Sequence, residues 1–394
     1  MLASLKLEEA VLAHIDVGKP VRDPVAYWEE DSLVGNTVTL TGTLATAGTT
    51  LTISAGDALK IGYNADSALA RTGAILQVYT STGTTTVTDN GEKVQVTAWG
   101  SSTTATITRS YGATADPGTT YDITTTKLKL VAWPLPEGSD LKTDQSQART
   151  PRFNVTQIFG RDITLTRNQI ARLMQAVDDE FMHQVSQRAI EVRRELNDTV
   201  IFGESSISLT TAFPLTPANS GDNRTMAGLI NFLTDAGGAA AGATYDSTAE
   251  AFTPKLLNGM HYASAILGGN PTTIFVGGEQ SRVIQGFGQD NIRVVPDARF
   301  RSGYSTKYRT DTGAILDLVT DFNLSNGAQG TVMLVDQTRT KLRPVQDAEF
   351  FMIVAPTFTD GDSARLLGEW SLECRNAIGT LAAHSVHTAL TIPS

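Results

Sequence analysis

The chain has little of what covalent chemistry, oxidative stapling or membrane insertion requires. Its 394 residues include one cysteine and five histidines. Cys374 alone cannot close an intrachain disulfide, which excludes a stapled secreted scaffold and indicates a reducing compartment. Charged residues make up only 18% of the chain, below the roughly 25% of ordinary soluble domains. No apolar run approaches bilayer length, and runs such as Phe350–Ala355 are strand length. The first nine residues carry Lys6, Glu8 and Glu9 where a signal peptide needs an unbroken apolar segment. Four sequons, at Asn154, Asn197, Asn223 and Asn323, therefore carry no meaning. Signatures for phosphate loops, zinc proteases, serine hydrolases and redox dithiols are all missing.

What is present fills that gap in a particular way. Hydrophobic residues reach 41%, enough for a sizeable core, and 34 glycines and many threonines replace the missing charge. Net charge is -10 with a pI near 5.0, against a protein that coats nucleic acid electrostatically. Composition shifts near Gly35 and shifts back near Leu130. Between them lie short β-branched runs: Thr37–Leu40, Thr50–Ile53, Ala74–Tyr79, Lys93–Val96 and Ala105–Thr108. Gly56-Asp57, Asp89-Asn90-Gly91 and Asp116-Pro117-Gly118 punctuate these runs as turns. Threonine suits the wet face of a pleated sheet, so the stretch reads as a small all-β module, sandwich or barrel.

A long amphipathic helix is predicted next. Thr166 and Gln169 have capping-box spacing. Ile170, Leu173, Met174, Val177, Phe181, Val185, Ala189, Val192, Leu196 and Val200 then recur at helical period until Phe202-Gly203. At 1.5 Å per residue, its roughly 36 residues would span about 54 Å across a sheet. Its charged face, including Arg188, Glu191, Arg193, Arg194 and Glu195, is either solvated or ion-paired with neighbouring copies. The remainder is mixed α and β. Asp235–Gly242 reads as a loop, Thr253-Pro254 opens a helix closed by Gly268-Gly269, and Thr272–Val276 is a buried strand. A helix from Gly278 to Phe287 follows. Strands are expected at Ile315–Val319, Val332–Val335, Phe350–Val354 and Ala364–Glu373.

Candidate chemistry is sparse. His384 and His387 could share a helical face, but no third metal ligand lies nearby in sequence. Asp360-Gly361-Asp362-Ser363 is read as an ordinary turn, because the glutamate a calcium loop needs is out of register. Asp178-Asp179-Glu180 spreads its carboxylates over adjacent helix faces, unsuited to acid–base work. Cys374 is expected as a buried structural thiol. No catalytic residue, cofactor or metal is assigned, and an enzyme has no motif in support. A surface-binding role for the β-module would need exposed aromatic platforms, for which Trp99, Tyr79 and Tyr111 are the candidates.

Several segments, in order along the chain, resemble a known family. They are Ala26–Asp31, Gly56–Ile61, Ile107–Thr114, Pro136–Asp140, Arg152–Phe159 and Gly368–Asn376. The chain resembles the major capsid proteins of tailed phages with the Hong Kong 97 fold, in the phage SU-ten-like branch. The resemblance implies an α+β, Hong Kong 97-type capsid fold, with an inserted small all-β domain at 35–130. It also implies an N-terminal arm at 1–23 and an extended loop made of 24–34 and 131–165. A peripheral domain would comprise 166–225 and 336–394, with the Thr166–Phe202 helix as spine, and an axial domain 226–335. The implied function is a major capsid protein forming pentamers and hexamers of a phage head around double-stranded DNA. An encapsulin-like shell is the same-fold alternative. Implied partners are further copies, a portal protein, a separate scaffold protein and a decoration protein. No membrane and no sequence-specific DNA binding is implied. The implied subunit-contact residues are Trp28, Arg149, Arg152, Phe153, Arg161, Arg193 and Arg194. Lys142 lies in the loop where some members crosslink, without an assignable partner.

Overall fold

The computed structural model describes residues 10–31, 36–45, 48–66, 70–82, 86–112, 120–122, 126–135, 137–138, 149–171, 179–206, 223–234, 245–246, 248–287, 307–327, 330–355, 361–377 and 383–391. Two compact units emerge: residues 1–31 with 149–394, and residues 32–148. Expected turns at Asp116-Pro117-Gly118, the loop at Asp235–Gly242 and the lysine at 142 lie outside the described residues.

The first stretch is a short helix α1 (Ala10–His14) followed by strands β1 (Asp16–Val17) and β2 (Val25–Glu30). Residues 36–135 hold β3 (Thr37–Thr39), β4 (Thr50–Thr52), α2 (Ala55–Lys60), β5 (Ile75–Thr82), β6 (Thr86–Trp99), β7 (Thr104–Thr108) and β8 (Thr126–Ala132). After them come β9 (Thr150–Val155), β10 (Gln157–Thr166), α3 (Arg167–Ala171), α4 (Glu180–Phe202) and α5 (Leu229–Thr234). The middle of the chain gives β11 (Tyr245–Asp246), β12 (Glu250–Ala251), α6 (Pro254–Ile266), β13 (Thr273–Val276) and α7 (Gly278–Gln285). Next are β14 (Lys307–Arg309), β15 (Ile315–Thr320), α8 (Phe322–Gly327), β16 (Val332–Val335) and β17 (Thr340–Pro344). The last strands are β18 (Phe351–Ala355), β19 (Gly361–Cys374), β20 (Ser385–His387) and β21 (Leu390–Thr391).

In the 32–148 unit, six antiparallel strands run in the order β3-β8-β5-β6-β7-β4. A bridge between Leu40 and Ile53 joins the two ends of that order, so the sheet curls into a barrel. Leu51, Ile53, Leu76, Val78, Val94, Val96, Ile107 and Leu128 fill it. Buried and open residues trade places along β7 and the first half of β8, the period-2 alternation of a half-buried sheet. Two expected turns are corrected. Gly56-Asp57 is the first turn of α2, because the Ser54 hydroxyl accepts from Asp57 N at 3.2 Å and caps a helix, so the unit is not purely β. Asp89-Asn90-Gly91 lies within β6, where the register slips between Gln77 and Tyr79; Gly91, at φ +71, serves this bulge rather than a chain reversal. A buried ion pair pins the barrel: Arg109 donates twice to the inaccessible Glu92, both at 2.7 Å, and once to Ala45 O.

The other unit is layered. Sheet one pairs β1-β17-β19-β10, with β18 also on β19; sheet two runs β11-β20-β16-β13-β15-β14. Strands β13 and β16 are buried on every residue, as their unbroken apolar sequences require. Phe275 and Met333 face one core with Val192, Leu196, Val200 and Ile201 of α4, and with Phe159, Leu366 and Leu372 of sheet one. Ile274, Val276, Val332 and Leu334 face a second core beneath α6 and α7, with Leu257, Met260 and Ile284. Helix α4 thus lies between the two sheets.

Four expectations about this unit are corrected. The long helix begins at Glu180, not Thr166: Asp179 is extended, and its carboxylate caps Phe181 N at 3.0 Å and Met182 N at 3.2 Å. Its 23 residues span about 35 Å at 1.5 Å per residue. Thr166 instead precedes the separate α3, with its N–H donating to Gln169 Oε1. Residues 10–23, expected within an N-terminal arm at 1–23, lie on their own chain: β1 pairs with β17 and Val21 bridges Val345. Residues 157–165, expected in the loop, form β10 and pair along β19. Residues 385–391, expected with 336–384, join β16 of sheet two and β12.

Gly203 ends α4 for a reason other than a left-handed cap, since its φ is -55. A Cβ there would sit 2.5 Å from Thr199 O and 2.6 Å from Met226 O, so glycine lets the chain pass close by.

A buried polar node ties the layers together. Asp321, fully buried after β15, accepts from Val11 N of α1 and Asn197 Nδ2 of α4, both at 3.1 Å. The Asn197 side-chain carbonyl accepts from Leu12 N at 3.0 Å. Replacing Asn197 with Ala leaves a buried N–H and part of a buried carboxylate without partners. The expected cost is about 1–3 kcal/mol, read as a lower denaturation midpoint in urea.

Candidate assembly surface

Three of the segments that carry the family likeness, Ala26–Asp31, Arg152–Phe159 and Gly368–Asn376, meet in one place. Strands β2 and β9 form a two-stranded ribbon, in register from Val25↔Val155 to Glu30↔Thr150. One side of the ribbon is held by Asn154, which is wholly buried. Its amide donates to Ala227 O at 3.1 Å and Leu372 O at 2.8 Å, and its carbonyl accepts from Ala227 N at 2.9 Å. Thr156 donates to Glu369 at 2.5 Å, and Gln157 accepts from Met226 N at 3.1 Å. Glu369 also pairs with Arg224 at 3.0 Å. Arg152–Phe159 is therefore a set of polar side chains that fix where three distant segments meet. Asn154 and Asn197 carry sequons in sequence, yet both are inaccessible.

The expected subunit-contact residues divide. Trp28 is buried in its own core, 5.9 Å from the Phe232 ring, with its indole N–H on Glu30. Phe153 is buried with Val25 and Val155. The arginines lie nearer the surface. Arg149 is exposed at the ribbon end and pairs with Glu29 at 3.1 Å and Asp31 at 2.9 Å. Arg152 is 3.5 Å from Glu30. Arg161 on β10 reaches Glu195 of α4 at 2.6 Å. Arg193 and Arg194 stand on the exposed face of α4. Exposed pairs of this kind are screened by solvent and add little to the monomer, so they shape a surface more than they hold the fold.

A second surface was not singled out from the sequence. Strand β18 is an edge strand, pairing only with β19 among the described residues. Phe350, Phe351, Met352, Ile353 and Val354 are consecutive and all exposed, with Val354 at 64%. The sequence signal was the run itself, since five consecutive apolar residues should not stay open in a monomer.

The titratable groups are structural. Burial, and then the Glu30 carboxylate, push the Cys374 thiol far above its ordinary range, so it stays protonated. His384 and His387 sit on or beside β20, not on a helix. His384 accepts from Asp336 N at 3.1 Å and donates to Arg375 O at 3.2 Å. Burial lowers its pKa to about 4. His387 lies 3.2 Å from Glu250, in an open cavity of about 400 Å³ with Lys255 and Met260. Gly361, Asp362 and Ser363 open β19 as extended strand rather than a turn, because they pair with Leu165 and its neighbours on β10. Trp99 is partly buried with its N–H on Arg71 O, and Tyr79 and Tyr111 are only half-open, so none forms an aromatic platform.

Comparison with known proteins follows from this geometry. The SU10 major capsid protein family matches residues 10–386. No curated protein matches. Among solved structures, one from Mycobacterium phage Adephagia is 16% identical with a TM-score of 0.42, covering 67% of this chain and 82% of that one. One from Mycobacterium phage Cain is 11% identical with a TM-score of 0.41, covering 98% and 90%. A capsid of a native GTA particle gives 10% identity and a TM-score of 0.42, covering 66% and 81%. Likeness at this level carries no argument by itself; the family match over nearly the whole chain does. The class is that of a structural subunit forming the capsid shell of a phage virion. The chain belongs to the SU10 major capsid protein family.

His384 links the stability of the fold to pH. A group neutral in the folded state and ordinary when unfolded leaves the unfolded chain binding more protons between about pH 4 and 6.5. Its contribution is complete above about 6.5 and lost as pH falls through 4. Stability should drop by about 3 kcal/mol over that window. Denaturant titrations at several pH values should show that slope, and His384→Gln should flatten it.

Proposed function

We propose that this subunit builds pentamers and hexamers that close into a phage head around double-stranded DNA. In this reading α4 is the spine of a peripheral domain with sheet one. Residues 226–335, joined by 385–391, form the axial domain. The β2–β9 ribbon is the base of the extended loop, and the barrel of residues 32–148 is the module inserted at its tip. The observation that carries the reading is the family match over residues 10–386. The ribbon's exposed Arg149 cluster and the charged face of α4 support it as surfaces for neighbouring copies.

Assembly then needs no strong single contact. Obligate interfaces bury about 2,000–5,000 Å² each, and a subunit held by several neighbours must break all of them to leave. Arg149, Arg152, Arg161, Arg193 and Arg194 would adjust register and specificity between copies. The net charge of -10 fits a wall that lets packaged DNA slide. A portal protein, a separate scaffold protein and a decoration protein complete the set of partners, with assembly in the bacterial cytoplasm before incorporation in the virion.

The expressed chain, with or without scaffold, should form capsomers or shells visible by negative-stain microscopy after gel filtration. A monodisperse monomer under every condition would sink the reading. Arg149→Glu should leave the thermal melting curve nearly unchanged while raising the concentration needed for assembly.

A further inference from the structure

We propose that the open cavity beside β12, α6 and β20 binds a small zwitterion with an apolar body, the chemistry of a free apolar α-amino acid. This is independent of the shell function. The cavity holds about 400 Å³, room for a ligand of that size, and Leu256, Met260 and Val386 give it apolar walls. One carboxylate, Glu250, and one ammonium, Lys255, also line it. The carboxylate is positioned from behind. Ala389 N donates to His387 Nδ1 at 3.3 Å, which places the imidazole proton on Nε2. That N–H donates to Glu250 Oε1 at 3.2 Å. His387 is buried within β20, so a rigid strand aims a carboxylate that stays half-exposed. With its proton on Nε2, the imidazole offers no lone pair to a metal ion on this side.

Charge complementarity selects the ligand. Among the described residues Glu250 and Lys255 do not pair with each other, so each keeps its charge for a third party. A ligand of one sign alone would face one like charge, whereas a zwitterion faces none. Lys255 also has a backbone N–H to offer. In the first turn of α6, Pro254 has no N–H, Leu256 N donates to Thr253 Oγ1 and Leu257 N to Thr253 O. A carboxylate beside Lys255 thus meets an amide and an ammonium, while the ligand's own ammonium meets Glu250. Gly259 marks the cavity independently. It lies inside α6 without a positive φ, although glycine is among the weakest helix formers. A Cβ there would meet no atom within 4 Å, so no close approach demands glycine. What the missing side chain does is keep the cavity open.

The test follows methionine methyl resonances of the full, unassembled chain. Met260 borders the cavity, and Met352 on β18 serves as the control. Leucine should shift the Met260 signal saturably, at concentrations on the order of millimolar, and leave Met352 unmoved. Two probes each keep the apolar body and one charge: 3-methylbutylamine and 4-methylpentanoate. Both should bind at least about tenfold more weakly than leucine. Glu250→Gln keeps an acceptor for His387 but loses the charge, and should weaken leucine by about tenfold. Gly259→Leu fills the cavity and should abolish the shift without lowering the melting temperature, because leucine favours a helix and the position is open. Absence of a saturable Met260 shift in wild type overturns the proposal and leaves the shell function standing. Equal binding of all three probes reduces the cavity to an apolar patch and overturns the zwitterion. An amine that binds as tightly as leucine overturns the carboxylate contact at Lys255. The wild-type comparison decides the matter even if either variant fails to fold.

Discussion

The structure depends on keeping one helix buried between two sheets. The inner half of α4 presents Val192, Leu196, Val200 and Ile201 in directions that no single sheet could cover. Sheet one takes one side and sheet two the other, which obliges segments far apart in sequence to converge on the same 35 Å rod, a length set by about 1.5 Å per residue. Asn197 sits within that apolar stripe. A polar side chain there is tolerable only because Asp321 and the Leu12 amide satisfy it. That bond fixes the rotation of α4 and anchors α1, so one residue sets the alignment of three elements.

The same economy governs the ribbon. Asn154 is buried and uses both ends of its amide on backbone from elsewhere, binding Ala227 and Leu372. Such a side chain adds little net stability, but its loss strands several buried groups, so it selects one arrangement over near alternatives. The barrel unit uses an ion pair for this purpose, with Glu92 inaccessible and Arg109 donating to it twice. Each unit therefore combines a generic apolar core with one specific polar pin.

The surface follows different rules. Its ion pairs are exposed and weak, while β18 leaves a row of apolar side chains open. Taken alone that edge is a liability. In a subunit whose function is to be surrounded by copies, an open edge is compatible with solubility only while assembly remains under control.

Much of the fold was legible from sequence because the relevant preferences act within a few residues. Thr-Ile-Phe-Val marked a buried strand and Val-Met-Leu-Val a strand, Thr253-Pro254 marked the start of α6, and alternating or β-branched runs marked strands of the 32–148 unit. What failed was non-local. Helical periodicity continued through residues 166–179, yet Asp179 offered its carboxylate to the amides that follow, and α4 begins there. The burial of Trp28 is decided by Phe232, some two hundred residues away. The return of β20 to sheet two, the docking of β1 on β17 and the burial of two of the four sequon asparagines, Asn154 and Asn197, belong to the same class. Local periodicity and capping determined which segments become helices and strands. Burial, strand partner and the fate of each polar group were decided only by the tertiary structure, because each depends on atoms that the chain brings from far away.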